Sequence, residues 1–241
     1  MMANTFKVLS ILMTYPSTEI AAAVPDLKRV LAEEGLVPHG LQRRLDRLCD
    51  ELADRDLIDL QERYVLLFDR SRSLSLHLFE HVHGESRDRG QAMVDLMDLY
   101  ERHGLSIDAK ELPDYLPLFL EFLSTLPLAD ARALLAEPLP VITALKERHR
   151  KRDSAYAAVF EALEALAAGK VKPTQAATLA TPPDEDPDDH AALDRIWEEE
   201  AVSFGGAGAM APDGACPASR DMLARMTPEP TDPATRRPLN G

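Results

Sequence analysis

Up to Gly169 the apolar residues recur at helical spacing almost everywhere, and no stretch alternates as a strand would. Leu41, Leu45, Leu48 and Leu52 form one stripe and Leu57, Leu60, Tyr64 and Phe68 a second, while Met93, Leu96, Met97 and Tyr100 form a third at i, i+3, i+4 and i+7. Punctuation agrees with the period. Gly35, Gly104 and Gly169 each follow such a run where a helix would close. Asp114 and Ser154 are expected N-caps, Pro138 suits a first turn, and Pro25 is expected to kink or split the second helix. Stripes of this kind are buried only against one another. The expected fold is therefore all-α, a single bundle of roughly eight to ten helices over residues 1–169, with no internal repeat of solenoid period.

After Gly169 the composition changes. Ten of the eighteen prolines fall in the last 72 residues, where Trp197 and Phe204 are the only aromatics. So little apolar area cannot offset chain entropy, and 170–241 reads as an acidic, mostly disordered tail. One island, AALDRIWEEEAVSF, places Leu193, Ile196 and Trp197 on one face of a possible short helix near 190–203, either transient or a docking motif.

Charge narrows the partners. A net charge of −14 with no basic patch of sufficient size argues against nucleic acid and is compatible with a basic peptide, although acidity also simply keeps a protein in solution. Cys49 and Cys216 stand far apart with no C-x-x-C spacing, which fits a reducing compartment. The start, MMANTFKVLSILMTYP, is too short and too soon interrupted for a signal peptide or membrane span, so a cytoplasmic location is expected without direct membrane insertion.

The chemistry-bearing stretch is SLHLFEHVHG at 75–84. His77, Glu80 and His81 spell H-x-x-E-H, an inverted zinc-peptidase pattern, and a helix would set His77 and His81 one turn apart on a common face. Arg70, Arg72, Arg87 and Arg89 bracket these groups and oppose a dication. With Asp69, Glu80, Glu85 and Asp88 they suit an ion-pair network fixing how two helices meet across Gly84. On the residues alone three readings stand: a structural polar network, a recognition site, or a zinc hydrolase with His77 and His81 as ligands and Glu80 as general base.

The longer run from Tyr64 to Met93, YVLLFDRSRSLSLHLFEHVHGESRDRGQAM, resembles the signature of the NarJ family. LSILMTYP before it and ELPDYLPLFLEFL at 111–123 after it follow the same order. The similarity is read over about residues 5–168, with the tail outside it. The resemblance implies an all-α chaperone, related to the redox-enzyme maturation chaperones, and no catalysis. Its implied client is the apo catalytic (alpha) subunit of respiratory nitrate reductase, bound at its N-terminal segment and held competent for molybdenum cofactor insertion before membrane docking. The cofactor would go to the client, and none is implied for the chaperone.

Peptide recognition is expected on two segments. The first is Leu76, His77, Phe79, Glu80 and His81, where apolar and ionisable groups alternate. The second is Tyr115, Leu118, Phe119 and Phe122, with Glu121 as the lone charge inside an apolar helix. A client helix would enter between the two, a basic residue lying near Glu80 or Glu121. Core packing is the competing reading for Leu76, Phe79, Phe119 and Phe122. Gly90 is expected to allow close helix approach.

Overall fold

Local signals set the first helices of the computed structural model, which describes residues 3–83, 87–107 and 111–169. Ser17 Oγ accepts from Ile20 N at 3.4 Å and Asp56 Oδ1 from Ile58 N at 2.8 Å, opening α2 (Thr18–Glu34) and α4 (Leu57–Tyr64). At the other end of α2, Gly35 adopts φ +58°, a left-handed cap that strains any residue with a Cβ. The Glu34 carboxylate beside it accepts from Asn4 N and Thr5 N, both at 2.8 Å, and so caps α1 (Asn4–Leu12) from the end of its neighbour.

The remaining helices follow in chain order. They are α3 (His39–Asp54), α5 (Glu80–His83), α6 (Asp88–Arg102), α7 (Leu116–Ser124), α8 (Leu128–Leu135), α9 (Leu139–Lys151) and α10 (Ala157–Leu166). Val65–Asp69 forms a π-helical turn at the end of α4, and Arg72–Leu74 a short 3₁₀ turn. The described residues thus hold ten α-helices and no strand, apart from one isolated antiparallel bridge between His77 and Tyr115.

Helix α1 packs between α7 and α2, α3 joins α2 to α10, and α9 closes on α10. One continuous apolar cluster runs through them, from Phe6 and Leu9 through Leu45, Leu48 and Phe119 to Phe160 and Leu163. Cys49 lies within it, its thiol pushed up to about 12 by burial and so chemically quiet.

Several expectations change here. Helix α2 is not split: Pro25 sits on the exposed side, so the carbonyl it strands a turn earlier, that of Ala21, is not sealed in the core. In α6 the buried face is Ala92, Leu96, Leu99 and Tyr100, with Met97 at the surface. Pro138 precedes α9 as its N-cap residue, and Ser154 Oγ accepts from Tyr156 N at 3.3 Å in the turn before α10. Asp114 does not cap α7, whose N-cap residue is Tyr115; its carboxylate is used elsewhere. Gly90 is exposed with open space where a Cβ would stand, so close approach is not its role. The tail 170–241 with its Trp197 island, Cys216, Gly84 and Glu85 lie outside the described residues.

Candidate functional site

The segment before α5 is extended rather than helical, because it pairs with the chain entering α7. Leu78 N donates to Asp114 O at 3.0 Å and Leu116 N to Leu76 O at 2.9 Å. Alternation across this bridge sends Leu76 and Leu78 into the core and leaves His77 half-buried. His77 therefore does not share a helical face with His81, as the H-x-x-E-H spacing led us to expect.

Asp114 is the centre of the arrangement and is fully buried. Its Oδ2 accepts from Phe79 N at 3.1 Å and lies 3.9 Å from Arg89 Nη2, while Oδ1 stands 3.2 Å from His77 Nδ1. Arg89 Nη2 also donates to Glu80 Oε1 at 3.1 Å. The hydrogen bond to Asp114 raises the His77 pKa above its ordinary value. His81 behaves oppositely. Buried, and with its pKa pushed down by that burial, it lies with Nε2 2.8 Å from Ser75 O and Nδ1 3.4 Å from Arg148 Nη1. Nε2 is thus the donor, Nδ1 faces a guanidinium, and the ring has no nitrogen free for a metal. Among the described residues no group of three or more His, Cys, Asp or Glu is arranged to hold a metal ion. The polar-network reading of the cluster is the one the geometry matches, with Arg89 and Glu80 as predicted members and Asp114 and Arg148 as distant ones.

The expected peptide contacts divide by burial. Leu76, Phe79, Phe119 and Phe122 are core residues, and His81 is buried with them. Tyr115, Leu118, His77 and Glu80 are partly covered, and Glu121 is exposed and paired with Lys7 of α1. The two segments meet each other directly through the bridge. The space in which a client was expected to enter between them is filled by their own contact in this conformation.

A concave surface does open next to them. A groove of about 470 Å³ is lined by Tyr15, Ile58, Gln61, Glu62, Val65, Leu66 and Arg70. Tyr15, Ile58 and Leu66 are three of the six large apolar side chains exposed among the described residues, Ile58 most of all at 65%. Ile58 and Glu62 follow one another on the outer side of α4, and the π-helical turn carries Val65 and Leu66. Beneath them an aromatic chain connects the groove to the buried network. Tyr15 meets Tyr64 edge-on at 5.5 Å, Tyr64 Oη lies 3.0 Å from both Met13 O and Tyr115 Oη, and the Tyr115 ring lies 5.4 Å from His77. Gln61 Nε2 donates to Pro16 O at 2.9 Å, fixing the LSILMTYP turn to α4. Three motifs separated by some fifty residues each thus converge on Tyr64 and Tyr115. Sequence reading missed Tyr15, Ile58 and Leu66; the available signal was that Ile58 falls outside the buried stripe of its own helix.

The family model for the nitrate reductase delta subunit matches residues 17–162. The chain is 41% identical over 198 residues to "Nitrate reductase molybdenum cofactor assembly chaperone NarJ" of Escherichia coli K12, covering 82% of this chain and 83% of that protein. It is 40% identical over 198 residues to the same organism's "Probable nitrate reductase molybdenum cofactor assembly chaperone NarW", covering 82% of each. Against the "Probable nitrate reductase molybdenum cofactor assembly chaperone NarJ" of Bacillus subtilis it is 34% identical over 159 residues, 66% of this chain and 85% of that one. An alignment of 198 residues is longer than the segment ending at Gly169, so the similarity extends past the boundary expected for it. With a family model spanning more than half its length and relatives this similar, the chain belongs to the nitrate reductase delta subunit family, that of the NarJ chaperones.

Proposed function

We propose that this chain is a cytoplasmic assembly chaperone. It captures the N-terminal segment of the apo catalytic (alpha) subunit of respiratory nitrate reductase and keeps that subunit competent for molybdenum cofactor insertion before it docks at the membrane. The observation that carries the reading is the apolar groove beside the point where Tyr15, Tyr64 and Tyr115 of the three motifs connect. A chaperone needs apolar surface that its client can cover, and half of the large exposed apolar side chains among the described residues lie in this groove.

The capture mode is a helix laid into the groove, with apolar anchors on Ile58, Leu66 and Tyr15. Glu62 is the carboxylate for a basic client residue. Glu80 and Glu121, expected for that role, are already engaged by Arg89 and Lys7. The buried network under Tyr115 holds the groove's floor in place and makes no client contact. The molybdenum cofactor belongs to the client, and the chaperone requires none. Among the described residues no helix is long and apolar enough to cross a membrane.

The test is a photoreactive side chain placed at Ile58 in cells making the reductase, followed by mapping of the joined segment. Cross-links confined to the first residues of the catalytic subunit are expected. Cross-links spread over that subunit, or to another protein, would overturn the reading.

A further inference from the structure

A second concavity lies on a different face of α4. Arg63 stands about 140° around the helix from Ile58 and points toward α3 rather than the groove. With Arg44, Arg47 and Glu51 of α3, Arg55 just past the end of that helix and Asp153 of the α9–α10 turn it encloses about 410 Å³, within the size range of small-ligand sites. Arg44, Arg47 and Glu51 recur at i, i+3 and i+7, so one face of α3 supplies them.

The charge balance is unusual for a chain of net charge −14. Glu51 is shared, 2.7 Å from Arg63 Nη1 and 3.9 Å from Arg55 Nε. Glu161 is shared between Arg44 and, at 4.0 Å, Arg150. Arg47 has no ion pair among the described residues. Arg150 also pairs with Glu147 at 3.6 Å, so five guanidinium groups stand against Glu51, Glu161, Asp153 and Glu147, and one positive charge is left over. Arg63 is braced on one side by Tyr156, whose ring centroid is 6.0 Å from its Cζ. The excess is felt below the pocket: burial holds the His149 pKa down, and the charges of Arg152 and Arg63 push it the same way.

Gathering like charges without a counter-charge is unfavourable, and every cation here is the residue whose planar fork matches an oxyanion. A phosphoryl group brings negative charge and three acceptor oxygens, which would answer the unpaired positive charge here. We propose that this pocket binds a phosphorylated small molecule through its phosphoryl oxygens, as a site separate from the client groove. Arg47 and Arg55 supply donors at the rim and Arg63 at the floor.

Calorimetric titration of inorganic pyrophosphate into the full chain at low salt tests this, with succinate as a carboxylate of similar charge. One saturable site is expected, weakened roughly tenfold or more in Arg47→Gln and in Arg55→Gln. Both residues are exposed, so the variants keep the parent's circular dichroism and melting transition. Arg29→Gln, which removes an equal charge from an exposed α2 site paired with Asp26 and Glu33, leaves affinity unchanged. Absence of saturable binding overturns the proposal. So does equal affinity for succinate, full affinity in both pocket variants, or an equal loss in Arg29→Gln.

Discussion

His149 has no exposed surface, and neither ring nitrogen has a hydrogen-bond partner. The ring stacks on Phe160 at 4.9 Å and lies 5.3 Å from Phe68. Burial, helped by the charges of Arg152 and Arg63, holds its pKa down at about 3 against an ordinary 6.5. It is therefore neutral in the fold and protonated in the unfolded chain once the pH passes below 6.5. In that window the unfolded chain binds the extra proton, so stability falls as pH drops from 6.5 toward 3. Between about pH 7.5 and about pH 5 the loss from this one group is about 2 kcal/mol. His149→Phe keeps a ring among the same aromatic neighbours and removes the titration. The larger ring adds the same packing strain at both pH values, and the other histidines titrate in parent and variant alike. The advantage of the variant over the parent should thus be about 2 kcal/mol greater at about pH 5 than at about pH 7.5, read from urea unfolding followed by circular dichroism. An advantage of the same size at both pH values would refute the argument and mean that His149 is charged or hydrated in the native state.

Asp114→Asn removes the charge that holds His77, Phe79 N and Arg89, and should destabilise the fold by about 2–4 kcal/mol in urea unfolding. Because the pKa of His77 is raised in the fold, the stability it contributes is fully present below its unfolded value of 6.5 and lost as pH rises through the raised value; the variant should lack that decline. Phe119→Ala, in the middle of the core, should cost about 3–5 kcal/mol of stability, while client affinity in the fraction that remains folded stays near the parent's. Truncation after Gly169 should leave a cooperative thermal transition, since the apolar cluster of the described residues closes on itself and Arg132 already ties the end of α10 through Leu166 O. A broad, non-sigmoidal melt would place the Trp197 segment in the folding unit.

What could be read from sequence was what local periodicity controls. The α3 stripe was legible because Leu45, Leu48 and Leu52 repeat on one face, and Gly35 and Gly104 were legible because only a left-handed closing position favours glycine there. Helix α6 was placed correctly but its buried side was not, since Leu99 rather than Met97 faces inward and packing partners decide that choice. The site was harder. Asp114 looks locally like a cap, and its contact with His77 spans 37 residues that carry no spacing signal. The bridge at 76–78 defeats a helical reading of H-x-x-E-H because main-chain pairing with 114–116 outweighs local preference. The family motifs supplied the candidate segments, yet Phe79, Phe119 and Phe122 within them are core residues. Ile58 and Leu66 belong to none of the predicted stripes, and their exposure depends on which neighbouring elements pack on α4 and the turn after it.

The central claim is that the groove at Tyr15, Ile58 and Leu66 is the client surface. Calorimetric titration of a synthetic peptide of about fifteen residues from the reductase N-terminus, long enough for anchors at i to i+7, tests it directly. Ile58→Ala and Leu66→Ala should each weaken binding by about 1–3 kcal/mol, roughly 5- to 150-fold, with little loss of stability because both side chains are exposed. Met97→Ala, an apolar change on α6 at a side chain about as exposed as Leu66, should bind as the parent does. Parent-like affinity in both groove variants, or a loss in Met97→Ala as large as theirs, would contradict the account.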